Sequence, residues 1–173
     1  MKLQAQFVAK ENSLYTLEGS PVQFNTEKIF SARECITNGI DFIDGTSPLA
    51  FISVSWDDVG RDEENYDEAF LASFRDFLKL MEEKKSFCVI VPVCEGETLS
   101  ETQKESFTAS MKHCARRIKD AASVVGFSVP EFSNADFFIE ELSAKHAHYI
   151  FFSADEKLLS NGSIVRMTGK EAN

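Results

Sequence analysis

The feature that most constrains the fold is an alternation of short apolar runs with longer amphipathic segments. The apolar runs are PLAFISVSW (48–56), SFCVIVPV (86–93), SVVGFSVP (123–130) and HYIFFS (148–153). Each run is too short for a typical helix and rich in strand-forming residues. This pattern is typical of strands that are buried on both faces of a parallel sheet.

The segments between these runs have helical periodicity. Residues 66–84 carry one apolar stripe, formed by Phe70, Phe74, Phe77, Leu78 and Met81. Residues 107–118 and 134–145 show the same spacing, and a helix is expected from Thr26 to a stop at Gly39. The alternation predicts right-handed βαβ units. The predicted fold class is therefore α/β with a parallel sheet, either half of a TIM-like barrel or an open three-layer sandwich.

Both ends of the chain are predicted to form β-hairpins within a single domain that covers residues 1–173. In residues 1–25, short alternating runs flank a turn at Asn12-Ser13. In residues 156–168, Asn161-Gly162 lies between apolar runs, which indicates a tight hairpin.

Composition excludes several functions. The net charge of −10 and the lack of a strongly basic run predict no nucleic-acid partner. No apolar stretch is long enough for a membrane span and no signal core begins the chain, so we expect a cytoplasmic protein without a membrane partner. No nucleotide-binding glycine motif is present, and the cysteines form no CxxC pair, so no cofactor and no metal site are predicted.

Histidines and basic residues offer weaker signals. His146 and His148 would share one face of an extended segment and could hold a metal only with a third ligand, such as Asp155 or Glu131. His113 and the basic residues at 116, 117 and 119 are expected to form a solvated helix face.

Candidate site residues follow the predicted strands, because functional groups in parallel α/β folds gather at the carboxyl ends of strands. The candidate ligand-binding residues are Trp56, Asp57, Asp58, Glu95 and Asp155, and the candidate catalytic residue is Glu131. An aromatic ring with nearby carboxylates suits a carbohydrate ligand, and glycoside hydrolysis needs a pair of carboxylates. Acidic loops also serve solubility, and a tryptophan at a strand end also serves packing, so both interpretations stay open.

Several segments resemble, in order, the N-terminal half of cellulase- and mannanase-like retaining glycoside hydrolases, which are (β/α)8 barrels. LYTLEGSPVQF is similar to their N-terminal hairpin, and FISVSWDD to their second strand. YDEAFLASFRDFLKLMEEKKSFCVIVPV is similar to the following helix and third strand, and FTASMKHCARRIKDAASVVGFSVPE to the helix and strand before the catalytic glutamate. The resemblance implies that Trp56 matches the second-strand tryptophan and Glu131 the acid/base.

The chain also departs from that family pattern. Phe51 replaces the second-strand arginine, Pro130 replaces the asparagine before the glutamate, and a full barrel normally needs ~250 residues. The favoured hypothesis is a non-catalytic domain that binds carbohydrate or a protein partner. The alternatives are a glycosidase that pairs Glu131 with Asp57, Asp155 or a partner chain's carboxylate, and a structural domain that self-assembles, for example as a homodimer.

Overall fold

The structure is a computed structural model that describes residues 3–43, 48–94, 98–131 and 133–167. The elements in chain order are β1 (Phe7–Lys10), β2 (Ser13–Thr16), β3 (Ile29–Ser31), α1 (Ala32–Asn38), β4 (Leu49–Ser55), α2 (Trp56–Val59), α3 (Glu68–Glu83), β5 (Phe87–Val93), α4 (Glu101–Arg117), β6 (Val124–Ser128), α5 (Ala135–Ser143), β7 (Ile150–Ser153) and β8 (Val165–Arg166). Short 3-10 helices lie at Ile40–Phe42 and Leu158–Ser160.

A six-stranded parallel sheet is the centre of the fold. Its strands are ordered β3-β4-β5-β6-β7-β8, so each strand pairs with its neighbours in sequence. This confirms the predicted α/β class with βαβ units. The sheet is open, because β3 and β8 form its two edges and do not pair with each other.

The longer helices pack against one face of this sheet. Side chains of α1, α3, α4 and α5 share a single core cluster with strand residues such as Ile52, Ile90 and Phe127. Sequential strand order with right-handed crossovers places successive helices on the same side, as in a barrel wall. None of the described helices is long and apolar enough to cross a membrane.

The opposite face of the sheet is covered by the N-terminal hairpin. Leu14 of β2 is 1% exposed and lies in a second core cluster with residues of β4, β5, β6, β7 and β8. Phe24 packs on the same face, with its ring centroid 5.6 Å from that of Phe51 and 6.0 Å from that of Phe152. In a closed barrel this face would line the interior, whereas here the chain's own first residues bury it.

The N-terminal hairpin is held in place through its turn. β1 and β2 pair antiparallel, and the turn residues Glu11 and Asn12 have positive φ angles of 50° and 63°. Two consecutive residues of this kind match the twist of the flanking strands. The Asn12 N–H donates to the Gly162 carbonyl and the Asn12 carbonyl accepts from the Arg166 N–H, both at 2.9 Å. The predicted N-terminal hairpin is confirmed and is anchored to the β8 edge, but its turn is Glu11-Asn12 and not the predicted Asn12-Ser13, because Ser13 already pairs with Lys10.

The helix expected from Thr26 to Gly39 is only partly correct. Ile29–Ser31 is strand β3, which pairs parallel with β4. The helix begins at Ala32 because Ser31 is its N-cap and accepts a hydrogen bond from the Glu34 N–H. The predicted stop is confirmed, since Gly39 has φ 82° and is the C-cap.

The predicted C-terminal hairpin is wrong. The segment before Asn161 is a 3-10 turn, which begins where the Asp155 carbonyl accepts from the Leu158 N–H at 3.0 Å. Val165 then pairs with Phe152 in parallel, not antiparallel, register. A two-residue loop can join only antiparallel strands, so the longer connection here produces a sixth parallel strand.

Candidate functional site

Trp56 lies directly after β4 but is a core residue. It is 3% exposed. Its indole Nε1 donates a hydrogen bond to Ser110 Oγ at 3.0 Å, and its ring meets Phe107 edge-on with centroids 5.5 Å apart. The Arg61 guanidinium covers the ring at 4.4 Å from the centroid. A sugar could stack on Trp56 only after Arg61 moved away.

Asp57 and Asp58 both make local structural contacts. Asp58 Oδ2 accepts from the Ser55 N–H at 2.9 Å while Ser55 Oγ accepts from the Asp58 N–H at 3.0 Å, which is a capping box. Asp58 Oδ1 also accepts from Arg33 Nε at 2.7 Å. Asp57 accepts from Arg61 Nε at 2.7 Å, and this hydrogen bond lowers the pKa of the Asp57 carboxyl. These two carboxylates therefore stabilise the start of α2 and the position of two arginines.

The carboxylates after β7 have similar roles. Asp155 donates its N–H to Ser153 Oγ at 3.0 Å and accepts from the Lys157 N–H at 2.9 Å through Oδ1. Glu156 forms a two-pronged ion pair with Arg166 of β8, and this contact lowers the pKa of the Glu156 carboxyl. Asp155 thus fixes the turn after β7, while Glu156 connects that turn to the edge strand.

Glu131 differs from these carboxylates. It lies on an exposed turn after β6 and makes no hydrogen bond or ion pair with any other described residue. Glu95 lies outside the described residues. The predicted acids in the described part of the sheet's carboxyl edge therefore do not form one site: Asp57, Asp58 and Asp155 each make local structural contacts, and Glu131 is exposed to solvent.

His146 and His148 are packed against Tyr149. The ring centroids lie 5.2 Å and 4.4 Å from that of Tyr149, and His146 is 7% exposed. Burial lowers the pKa of both imidazoles, that of His146 to about 4 with additional effects from His148 and nearby cations. No group of three or more His, Cys, Asp or Glu side chains in the described ranges could hold a metal ion.

A groove of about 290 Å³ lies between helices α4 and α5 and the segment that precedes α3. Its floor is the outward stripe of α4. One wall comes from the segment before α3 and the other from α5. We name it the helix groove; its lining includes Glu63, Tyr66, Glu105, Thr108, Lys112, His113, Arg116, Phe137 and Glu141.

The α3 side of the helix groove is an ordered aromatic wall. The Tyr66 and His113 rings stack with centroids 4.4 Å apart and planes 23° apart. His113 Nε2 lies 2.8 Å from Glu68 Oε2, and Glu68 Oε1 forms an ion pair with Arg117 Nε at 3.1 Å. Burial raises the pKa of the Tyr66 hydroxyl, against the opposing effect of a hydrogen bond with Ser110. Both rings of the stack are therefore held by polar contacts, His113 through Glu68 and Tyr66 through Ser110.

The floor of the helix groove contains an unusual polar atom. Thr108 is 1% exposed, and its Oγ1 is buried with no hydrogen-bond partner among the described residues. Beside it, Lys112 Nζ donates to Glu141 Oε1 at 2.9 Å across the groove. A buried hydroxyl without a partner is costly, but this one lies beneath the surface of the groove, where a ligand would reach it only after neighbouring side chains moved.

The helix groove was not predicted from the sequence. His113 and Arg116 were expected on a solvated helix face, and they do lie on the outer side of α4. The spacing of Thr108, Lys112 and Arg116 at every fourth position was the available signal. Tyr66 and Phe137 come from other elements, so only tertiary packing brings them to this face.

Comparison of the chain with protein-family models and with curated proteins gives no match. Among solved structures, the chain is similar to a mannanase from Bacillus subtilis, with a TM-score of 0.40 and 10% sequence identity. The likeness covers 79% of this chain and 54% of the mannanase chain, so this chain spans about half the length of that protein. A glycoside hydrolase is thus a distant structural neighbour, at a similarity too low to assign a family or an activity.

Proposed function

We propose that this chain is a non-catalytic binding domain rather than a glycosidase. The observation that carries the proposal is the use of the carboxylates at the carboxyl edge of the sheet. Asp57, Asp58 and Asp155 each hold a local turn or a neighbouring arginine. Glu131 is left on an exposed turn without a partner in the described part of the chain.

Glycoside hydrolysis makes demands that this edge does not meet. It needs two carboxylates facing one bond, and the general acid of the pair is shielded from water. Turning Asp57 or Asp58 toward a substrate would break the ion pair with Arg61 or the capping box of α2. The structural roles of these acids therefore support a domain without this chemistry.

The helix groove is the surface on which we place binding. It combines an aromatic wall with charged side chains at its ends. The ligand of a non-catalytic domain of this kind is a carbohydrate or a protein partner; an aromatic wall is compatible with both, and the charged ends of the groove distinguish between them.

An activity assay with a matched variant tests the non-catalytic proposal. Wild type, Glu131→Gln and the control Glu83→Gln would be incubated with mannan, cellulose oligomers and aryl glycosides. We expect no turnover above buffer from any of them. Turnover by wild type and by Glu83→Gln that is lost in a folded Glu131→Gln protein would refute the proposal.

Self-association is the second candidate function, favoured by the free edge of the sheet. β3 is an edge strand, and Ile29 on it is 45% exposed. Strand edges with exposed apolar side chains pair readily with other chains. Light scattering would support this function if wild type is a dimer that Ile29→Lys converts to the 19.4 kDa monomer. A wild-type monomer at high concentration would exclude it.

A further inference from the structure

The helix groove has oppositely charged ends. Glu105 lies near the start of α4 and Arg116 near its end, and neither forms an ion pair with another described residue. At 1.5 Å of rise per residue, these positions are about 16 Å apart along the helix axis. Glu63, exposed on the α3 wall, adds a second free carboxylate to the groove.

The middle of the groove is close to neutral and partly aromatic. Lys112 and Glu141 compensate each other at 2.9 Å. Phe137, half-buried on the α5 side, faces the same groove as the Tyr66–His113 stack on the α3 side. An apolar or aromatic group of a ligand would therefore fit the centre of the groove, with charged groups toward its ends.

We propose that the helix groove binds an extended peptide segment with a basic side chain, an aromatic side chain and an acidic side chain at alternate positions. The inference rests on the proposed binding function and names its partner. Side chains at i, i+2 and i+4 of an extended peptide lie on one face, and the outer two are about 13 Å apart. Flexible Lys and Glu side chains cover the remaining distance to Glu105 and Arg116.

The length of the groove decides against smaller ligands. The ammonium and carboxylate groups of a free amino acid are attached to the same carbon atom, so they cannot reach both Glu105 and Arg116. A neutral monosaccharide leaves both ends of the groove without counter-ions.

Peptide titrations followed by amide chemical shifts test the proposal. The peptides would be the capped pentamers Lys-Ser-Phe-Ser-Glu, Lys-Ser-Phe-Ser-Lys and Glu-Ser-Phe-Ser-Glu, at low ionic strength where charges are little screened. Exposed charge pairs are weak, so we expect wild type to bind the mixed-charge peptide about fivefold more tightly than either of the others.

Charge reversal at Arg116 makes the test specific. Arg116→Glu gives the groove two acidic ends and should shift the preference to Lys-Ser-Phe-Ser-Lys. The control Lys10→Glu makes the same charge change on the N-terminal hairpin, which packs on the other face of the sheet, and should keep the wild-type preference.

The inference would be overturned by equal affinity for all the peptides, by no binding of any peptide, or by an unchanged preference in folded Arg116→Glu. Oligosaccharide binding that is unaffected by Arg116→Glu would also overturn it and would assign the groove to sugars. None of these results alters the hydrolysis assay, so a failure of the peptide inference is distinguishable from a failure of the non-catalytic proposal.

Discussion

Replacing Leu14 with alanine should destabilise the whole domain, because this side chain joins the N-terminal hairpin to the sheet. Leu14 is 1% exposed and contacts the cluster that includes Leu49, Phe51, Val89 and Phe152. Its removal leaves a cavity between two layers, and the hydrogen bonds of Asn12 to the β8 edge restrict how far the hairpin can collapse into it.

The expected loss of stability in Leu14→Ala follows from the complete burial of the Leu14 side chain. Fully buried leucines replaced by alanine cost about 3–5 kcal/mol when the surroundings cannot relax, and we expect about 3 kcal/mol here since one layer is only a hairpin. For a domain of this size, each kcal/mol lowers Tm by about 2–4 °C, so the shift should be about 6–12 °C.

The same hairpin region offers a matched control. Leu17 is 62% exposed, so Leu17→Ala should change the free energy of unfolding by less than about 0.5 kcal/mol. Urea unfolding and calorimetry of wild type, Leu14→Ala and Leu17→Ala would measure both effects. A Leu14→Ala protein as stable as wild type, or equal losses in the two variants, would show that the hairpin does not cover the sheet.

Further variants test other parts of the fold. Gly126→Ala should lower the free energy of unfolding by at least about 3 kcal/mol, because its Cβ would lie 1.7 Å from the Ile150 carbonyl oxygen of the next strand. Gly162→Ala is the control, since its Cβ would meet only ordinary contacts. Equal stability of the two variants would contradict the close packing at Gly126. Tyr149→Phe should leave the free energy of unfolding in urea unchanged or raise it, because the buried Tyr149 hydroxyl has no hydrogen-bond partner in the described chain. A decrease of more than about 1 kcal/mol would show that the hydroxyl does have a partner. Burial lowers the pKa of His146 from 6.5 to about 4, so between these values the unfolded chain binds more protons. The free energy of unfolding should therefore fall by up to about 3 kcal/mol as the pH drops through this window. His146→Gln should make stability depend less on pH, and identical stability–pH profiles of wild type and His146→Gln would refute this prediction.

The central strands were predictable because their apolar runs are long. β4 and β5 are buried on both faces, and each has a neighbour on both sides, so composition alone identifies them. The edge strands were not predictable. β3 has three residues and lies in a helix-like pattern, while β8 has two residues after a hairpin-like Asn-Gly. Pairing with a neighbouring strand, which the local sequence does not encode, decides both.

The candidate site was predictable in position but not in role. Trp56, Asp57 and Asp58 do follow β4 at the carboxyl edge. The spacing of Ser55 and Asp58 matches a capping box, and this local signal could have assigned Asp58 a structural role. The burial of Trp56 under Arg61 depends on tertiary packing.

The inner face of the sheet is apolar where the N-terminal hairpin covers it. Phe51 is fully buried, with its ring against those of Phe24 and Phe152. A charged side chain at this position would place an unpaired charge in the second core cluster. This face of the sheet is therefore suited to packing against the hairpin.

Binding in the helix groove is tested most sharply by a map of amide chemical-shift changes during titration with Lys-Ser-Phe-Ser-Glu. Binding there should change the shifts of Tyr66, Thr108 and Arg116, with no changes at Asp57 or Glu131. Changes concentrated around Asp57 and Glu131, with an unperturbed groove, would contradict it and return the site to the carboxyl edge of the sheet.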